Sequence, residues 1–142
     1  MMKRLFALLL FSSMTLANSQ NEAKVTGNTY LGVPDSYVTI NLNENTCSLR
    51  SLGNIDYQRF LILLVCGKKE QVLWHEGLVD IEIDDPRFEL LWAGDLDGDN
   101  RLDLKMEVSP KYSCSQQAVY LSSRAINGDL VGSGELGEEE CC

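Results

Sequence analysis

The sequence predicts a mainly β fold, a small antiparallel sandwich or barrel with one hairpin loop suited to Ca²⁺ and a brace of disulfides. Three observations carry that prediction. Short apolar segments recur at fairly regular spacing, with Gly, Asn, Asp and Pro between them. Several alternate apolar and polar residues with the period of two that marks a half-buried strand. Five cysteines, finally, all lie downstream of an N-terminal stretch with the character of an export signal.

That stretch, residues 1–17, opens with the basic stub Met1-Met2-Lys3-Arg4 and continues through Leu5-Phe6-Ala7-Leu8-Leu9-Leu10-Phe11. Such an apolar run is too short for a stable membrane anchor. Thr15-Leu16-Ala17 then offers a small residue for cleavage before Asn18, the layout of a secretory signal peptide. Because the apolar residues are contiguous rather than spaced on one face, a buried amphipathic helix is the poorer reading. No Cys closely follows the run, which argues against a bacterial lipid anchor. No later segment is long and apolar enough to span a bilayer, so the expected product is a soluble periplasmic or secreted domain, residues 18–142.

Loss of Lys3 and Arg4 leaves 10 of the 12 basic side chains against 21 acidic ones, a net charge near −11. Phosphate-rich partners need the opposite sign, so nucleic acid and anionic membrane surfaces are disfavoured. Cations and basic proteins are favoured instead, although acidity also serves plain solubility. About 125 residues suffice for one domain with a real core.

Along the mature chain, residues 36–42 read as a strand, Tyr37, Thr39 and Asn41 alternating with Val38, Ile40 and Leu42. Asn43-Glu44-Asn45 signals a turn. Residues 60–65 are apolar on both faces and suit a central strand, with a buried helical turn left open by periodicity. Residues 71–74 and 78–83 look like two more strands around Gly77, the second placing Asp80, Glu82 and Asp84 on one face. Pro86 breaks the pattern, and Phe88-Glu89-Leu90-Leu91-Trp92 leads into an acidic loop. Beyond it, Leu102, Leu104, Met106 and Val108 alternate with Asp103, Lys105 and Glu107, the clearest strand in the chain, ended by Pro110. Residues 118–121 offer another short strand. The Gly-rich residues 128–137 run into Glu138-Glu139-Glu140, a tail expected to be mobile up to the point where a disulfide holds it.

Cys47, Cys66, Cys114, Cys141 and Cys142 allow two disulfides and one spare thiol. Local loops favour Cys47 with Cys66, and Cys114 with Cys141 or Cys142. No pair has close zinc-ligand spacing, and His75 is the single histidine. Cys141-Cys142 is similar to a prenylated tail, but prenylation acts on cytosolic proteins.

The one motif with chemistry in it is Asp95-Leu96-Asp97-Gly98-Asp99-Asn100-Arg101-Leu102-Asp103, with carboxylates at loop positions 1, 3, 5 and 9. A hard cation needs about six to eight oxygens, and this spacing turns alternate side chains inward while the carbonyl of Arg101 faces the ion. Gly98 permits the tight turn. Asn100 stands where such loops usually carry Gly, a position Asn tolerates. Four carboxylates this close repel one another unless a cation joins them. Mg²⁺ demands a tighter octahedron and keeps more water, so Ca²⁺ is the expected ion. The alternative is an acidic surface turn, which leaves that repulsion unexplained.

An EF-hand would place helices on both sides and a Glu at position 12, where this chain has Met106. The segment instead resembles the Ca²⁺ loops of FG-GAP repeats in integrin α-chain propellers, in which a similar Asp-x-Asp/Asn-Gly-Asp-x-x-x-Asp turn joins two strands. That resemblance covers the nine-residue loop and its flanks, Trp92-Ala93-Gly94 and Leu102-Asp103-Leu104. It implies side-chain ligands Asp95, Asp97, Asp99 and Asp103 and the backbone carbonyl of Arg101. It does not extend to the fold, since a propeller needs several copies. The Leu-Trp-Ala-Gly-Asp-Leu-Asp-Gly-Asp pattern is also similar to small exported bacterial proteins, a resemblance that implies no activity.

Weaker candidates have plainer explanations. Asp80, Glu82, Asp84 and Asp85 fit a solvated strand face, and Glu138-Glu139-Glu140 a solubilising tail. His75 suits a strand end, because a general base needs a nucleophile or metal-bound water within reach. Cys66 beside Lys68 and Lys69 has the surroundings of an activated thiol, but a disulfide is its ordinary fate after export. Gly132-Ser133-Gly134 lacks the strand and helix of a nucleophile elbow, and no phosphate-cradling Gly loop is present. The leading expectation is therefore a non-catalytic, calcium-stabilised binding or interaction domain. The alternatives are a small metal-assisted hydrolase using the same site and an inhibitor of a basic secreted enzyme.

Overall fold

A computed structural model describes residues 21–78 and 82–142. The expected signal peptide, residues 1–17, lies outside the described residues, as does Asp80.

The described residues form twelve strands: β1 (Asn21–Glu22), β2 (Lys24–Gly27), β3 (Tyr37–Leu42), β4 (Asn45–Asn54), β5 (Arg59–Cys66), β6 (Lys69–His75), β7 (Glu89–Asp95), β8 (Asp103–Glu107), β9 (Cys114–Ser115), β10 (Gln117–Tyr120), β11 (Glu135–Leu136) and β12 (Glu140–Cys141). One five-stranded sheet runs β2-β3-β4-β5-β6, a meander in which every strand pairs with its neighbour in sequence; the other runs β1-β7-β8-β10-β11. β12 and β9 make a third, two-stranded sheet. All pairings between these strands are antiparallel, and among the described residues no sheet closes on itself into a barrel.

Alternation explains how the sheets face one another. Val38, Ile40 and Leu42 of β3, Cys47 and Leu49 of β4, and Phe60, Ile62 and Leu64 of β5 are buried; Leu90 and Ala93 of β7, Leu104 and Met106 of β8, and Ala118 and Tyr120 of β10 join them in a single apolar cluster. Two open sheets sharing one core is the sandwich alternative of the sequence reading. Phe88, just ahead of β7, stacks on Phe60 at 5.1 Å and tilts against Trp74 at 4.6 Å. Full burial of each such ring is worth about 1.5–3 kcal/mol.

The expected strands at residues 36–42, 60–65, 71–74, 102–108 and 118–121 all form, with ends shifted by a residue or two. β5 is an interior strand, but the middle of its sheet is taken by β4, a ten-residue strand without an apolar signal of its own. Residues 78–83 depart from expectation where they are described. Leu78 closes a 3₁₀ turn (Glu76–Leu78), residues 79–81 lie outside the described residues, and Glu82 and Ile83 join no strand. Ile83 is nevertheless buried. Its N–H donates to Gln58 Oε1 at 2.6 Å and its carbonyl accepts from Gln58 Nε2 at 3.1 Å, so one side-chain amide replaces a neighbouring strand.

Both bridges sit on paired residues. Cys47 and Cys66 face each other across β4 and β5, and Cys114 and Cys141 across β9 and β12, each pair forming a disulfide. Register decides between the two terminal cysteines: Cys141 lies opposite Cys114, and Cys142 is free and exposed. Before this point, Val131 is buried and the Gln71 amide bonds the backbone of Leu130 and Val131, after which β11 pairs with β10. Among the described residues no helix is long and apolar enough to cross a membrane.

Candidate metal centre

The acidic motif falls on the hairpin between β7 and β8. Gly94 pairs with Asp103, so Asp95 is the last residue of one strand and Asp103 the first of the next. Gly94 is needed for closeness: a side chain there would collide with the Asn21 carbonyl on β1 and the Trp92 ring. The connecting loop turns through Gly98 at φ +82° and Asn100 at φ +61°, the two positions where the sequence placed tolerant residues.

The four aspartates converge. One carboxylate oxygen from each of Asp95, Asp97, Asp99 and Asp103 lies within 4.8 Å of those of the other three. Their surroundings differ. Asp95 is buried and accepts from the N–H groups of Gly98 at 2.8 Å, Asp99 at 3.1 Å and Asn100 at 2.8 Å, which folds the loop around it. Asp103 is fully buried and accepts from Leu96 N–H at 2.7 Å. It also accepts from the N–H of Ser122 at 2.8 Å and its hydroxyl at 2.9 Å. Such charge-assisted bonds are the strong kind.

Asp99 is less enclosed. Partial burial pushes its carboxyl pKa up, but this is outweighed by the Arg101 N–H, the Ser122 hydroxyl and the Arg101 guanidinium, which together hold it below the ordinary aspartate value. Arg101, expected to offer its carbonyl, also brings its guanidinium to Asp99 at 3.1 Å. Asp97 is exposed, and among the described residues no hydrogen bond ends on its carboxylate.

Charge within this group is unbalanced. Four carboxylates face a single paired guanidinium. At such separations each like-charge pair costs on the order of 1 kcal/mol even in bulk water and several times that at lower effective dielectric. The donor set is all oxygen, the preference of a hard cation rather than a soft one.

Ser122 is the member that sequence reasoning missed. It opens a short 3₁₀ turn (Ser122–Arg124) directly after β10, which pairs with β8, and this register delivers its hydroxyl to Asp103. Nothing local in Leu121-Ser122-Ser123 signals that role.

The remaining candidates lie elsewhere. His75 ends β6, is exposed, and accepts the Gly77 N–H on Nδ1 at 3.1 Å; it is not among the converging ligand atoms. Asp84 and Asp85 are exposed, and the Asp84 backbone forms an isolated parallel β-bridge with Lys111 rather than part of a strand. Cys114, Glu139 and Cys141 also approach one another, but both sulfurs are committed to a disulfide. Cys66, being disulfide-bonded, has no thiol to activate.

Comparison of the chain with protein-family models, with curated proteins and with solved structures finds no match.

Proposed function

We propose that the chain is an exported β domain stabilised by one Ca²⁺ and serving a non-catalytic binding role, with Asp95, Asp97, Asp99, Asp103 and the Arg101 carbonyl as ligands. The observation that carries this is Asp97. Its carboxylate adds to a crowded cluster and, among the described residues, receives no hydrogen bond, so no protein contact offsets the repulsion that a bound cation would relieve. The strand-to-strand setting of the loop supports the FG-GAP resemblance and disfavours an EF-hand, which needs flanking helices. Two disulfides are compatible with an oxidising compartment, periplasm or external medium.

A hydrolase built on the same centre would need a base beside an open coordination position. A hollow of about 490 Å³ does adjoin the loop, but Leu42, Leu64, Leu102, Leu130 and Val131 make up much of its wall, and His75 is not in it. The non-catalytic reading fits those walls better.

The test is thermal unfolding of the disulfide-bonded domain in calcium and in EDTA, with calorimetric titration of the metal. The expected dissociation constant is about 10⁻⁴ to 10⁻³ M, as in extracellular calcium modules. Calcium at about tenfold that value should add roughly 1.4 kcal/mol to stability. A melting temperature indifferent to calcium and to EDTA would refute the reading.

A further inference from the structure

Glu89 begins β7 and Asp95 ends it, so the start of that strand lies about 20 Å from the metal loop. There the outer face of the second sheet forms an open groove of about 550 Å³. Tyr30, Tyr112 and the exposed Leu91 are among the residues that line it. The Tyr30 ring is anchored by its hydroxyl, which donates to the Pro86 carbonyl at 2.8 Å.

Charge sets what such a groove accepts. Glu89 and Glu107 lie directly opposite each other on β7 and β8, a cross-strand placement that is destabilising for like charges left alone. Glu107 is buried and pinned by Ser115 Oγ at 2.9 Å and the Gln116 N–H at 2.7 Å, while Glu89 accepts from Thr29 Oγ1 at 3.0 Å. Asp85 adds a third carboxylate. Arg87 also lines the groove, yet among the described residues it forms no ion pair with these acids. Burial, and then the fields of Asp85 and Glu89, raise the Tyr30 hydroxyl pKa.

We infer that this groove docks an arginine side chain presented by an exposed basic segment of another protein. A guanidinium offers a planar fork of donors to the accessible carboxylates of Asp85 and Glu89 and a flat cationic face to the tyrosines, so both features of the groove serve one group. The chain's formal charge of −9 would draw such a partner in from solution. The inference deepens the binding role proposed above by naming the partner's chemistry, and it uses none of the loop aspartates.

The probe is an acetylated tetra-arginine peptide titrated into the full disulfide-bonded domain by calorimetry, with and without calcium. Glu89→Gln keeps an acceptor for Thr29 while removing one charge, and Tyr112→Ala removes an exposed ring. Each should weaken binding about tenfold. Glu70→Gln, an exposed acid on β6 of the other sheet, should change it less than twofold. Equal weakening by Glu70→Gln would reduce the effect to bulk charge and overturn the inference, as would a peptide that does not bind. So would concentration-dependent dimerisation abolished by Tyr112→Ala, which would assign the face to a second copy of the chain. Peptide binding that survives alongside calcium-indifferent melting would sink the metal reading alone, and the reverse result would sink the groove alone.

Discussion

Asp97→Asn separates a carboxylate kept for a metal from one kept for the fold. In the wild type the Asp97 oxygen lies within 4.8 Å of three other carboxylate oxygens, one of which, on Asp99, is already paired with Arg101. Each unit-charge pair at that distance costs about 0.9 kcal/mol in bulk water, and a Debye length of about 8 Å at physiological salt removes roughly half of it. Neutralising Asp97 therefore stabilises the metal-free domain by about 1 kcal/mol, or roughly 4 °C for a domain of this size. With calcium at about a hundredfold its dissociation constant, the wild type gains about 2.7 kcal/mol and the variant loses most of that gain. The order of the two melting curves should thus reverse: the variant melts higher in EDTA and about 6 °C lower in calcium, at constant ionic strength. Magnesium should not produce the crossing. Differential scanning calorimetry of both proteins in both buffers checks this. If Asp97→Asn were instead destabilising without metal, its carboxylate would have a structural partner and the reasoning would be wrong; parallel curves in both buffers would be equally damaging.

Ser122→Ala should destabilise the domain by about 1.5–3 kcal/mol in urea denaturation with or without calcium, because a fully buried Asp103 loses one charge-assisted donor. Alkaline stability should depend on Tyr120, whose hydroxyl is pushed up to about 12 by burial. The fold favours its protonated form, so its contribution is fully present below the unfolded value near 10 and is lost as pH rises towards 12. By pH 11 about 1.4 kcal/mol should have gone, read as the change in the difference between wild type and Tyr120→Phe from pH 9 to pH 11.

How much of this was legible in the sequence follows from what sets each element. β3, β8 and β10 carry their own two-residue alternation against the core, so the pattern alone locates them. β4 does not. Its inward positions are Cys47, Leu49 and Ser51, of which Leu49 alone is a large hydrophobe, and its place in the middle of the sheet comes from pairing with β3 and β5 on either side. Residues 78–83 fail for the opposite reason. They alternate convincingly, but pattern reports only which side chains seek burial, and the backbone of Ile83 finds its partners on Gln58, 25 residues away.

The same division runs through the candidate centre. Asp95, Asp97, Asp99 and Asp103 were legible because a nine-residue loop is local: spacing and the turn residues Gly98 and Asn100 suffice to bring the carboxylates round one point. What spacing cannot say is that these four aspartates are not equivalent. Asp95 and Asp103 are buried at the two strand ends and accept backbone N–H groups, so they have work in the fold whatever else they hold. Asp103 does so through Ser122, a residue 19 positions away that arrives only because β10 pairs with β8. Replacing either buried aspartate would therefore weaken the fold and any metal affinity together. Asp97, which the fold does not use, is the position at which those two losses come apart.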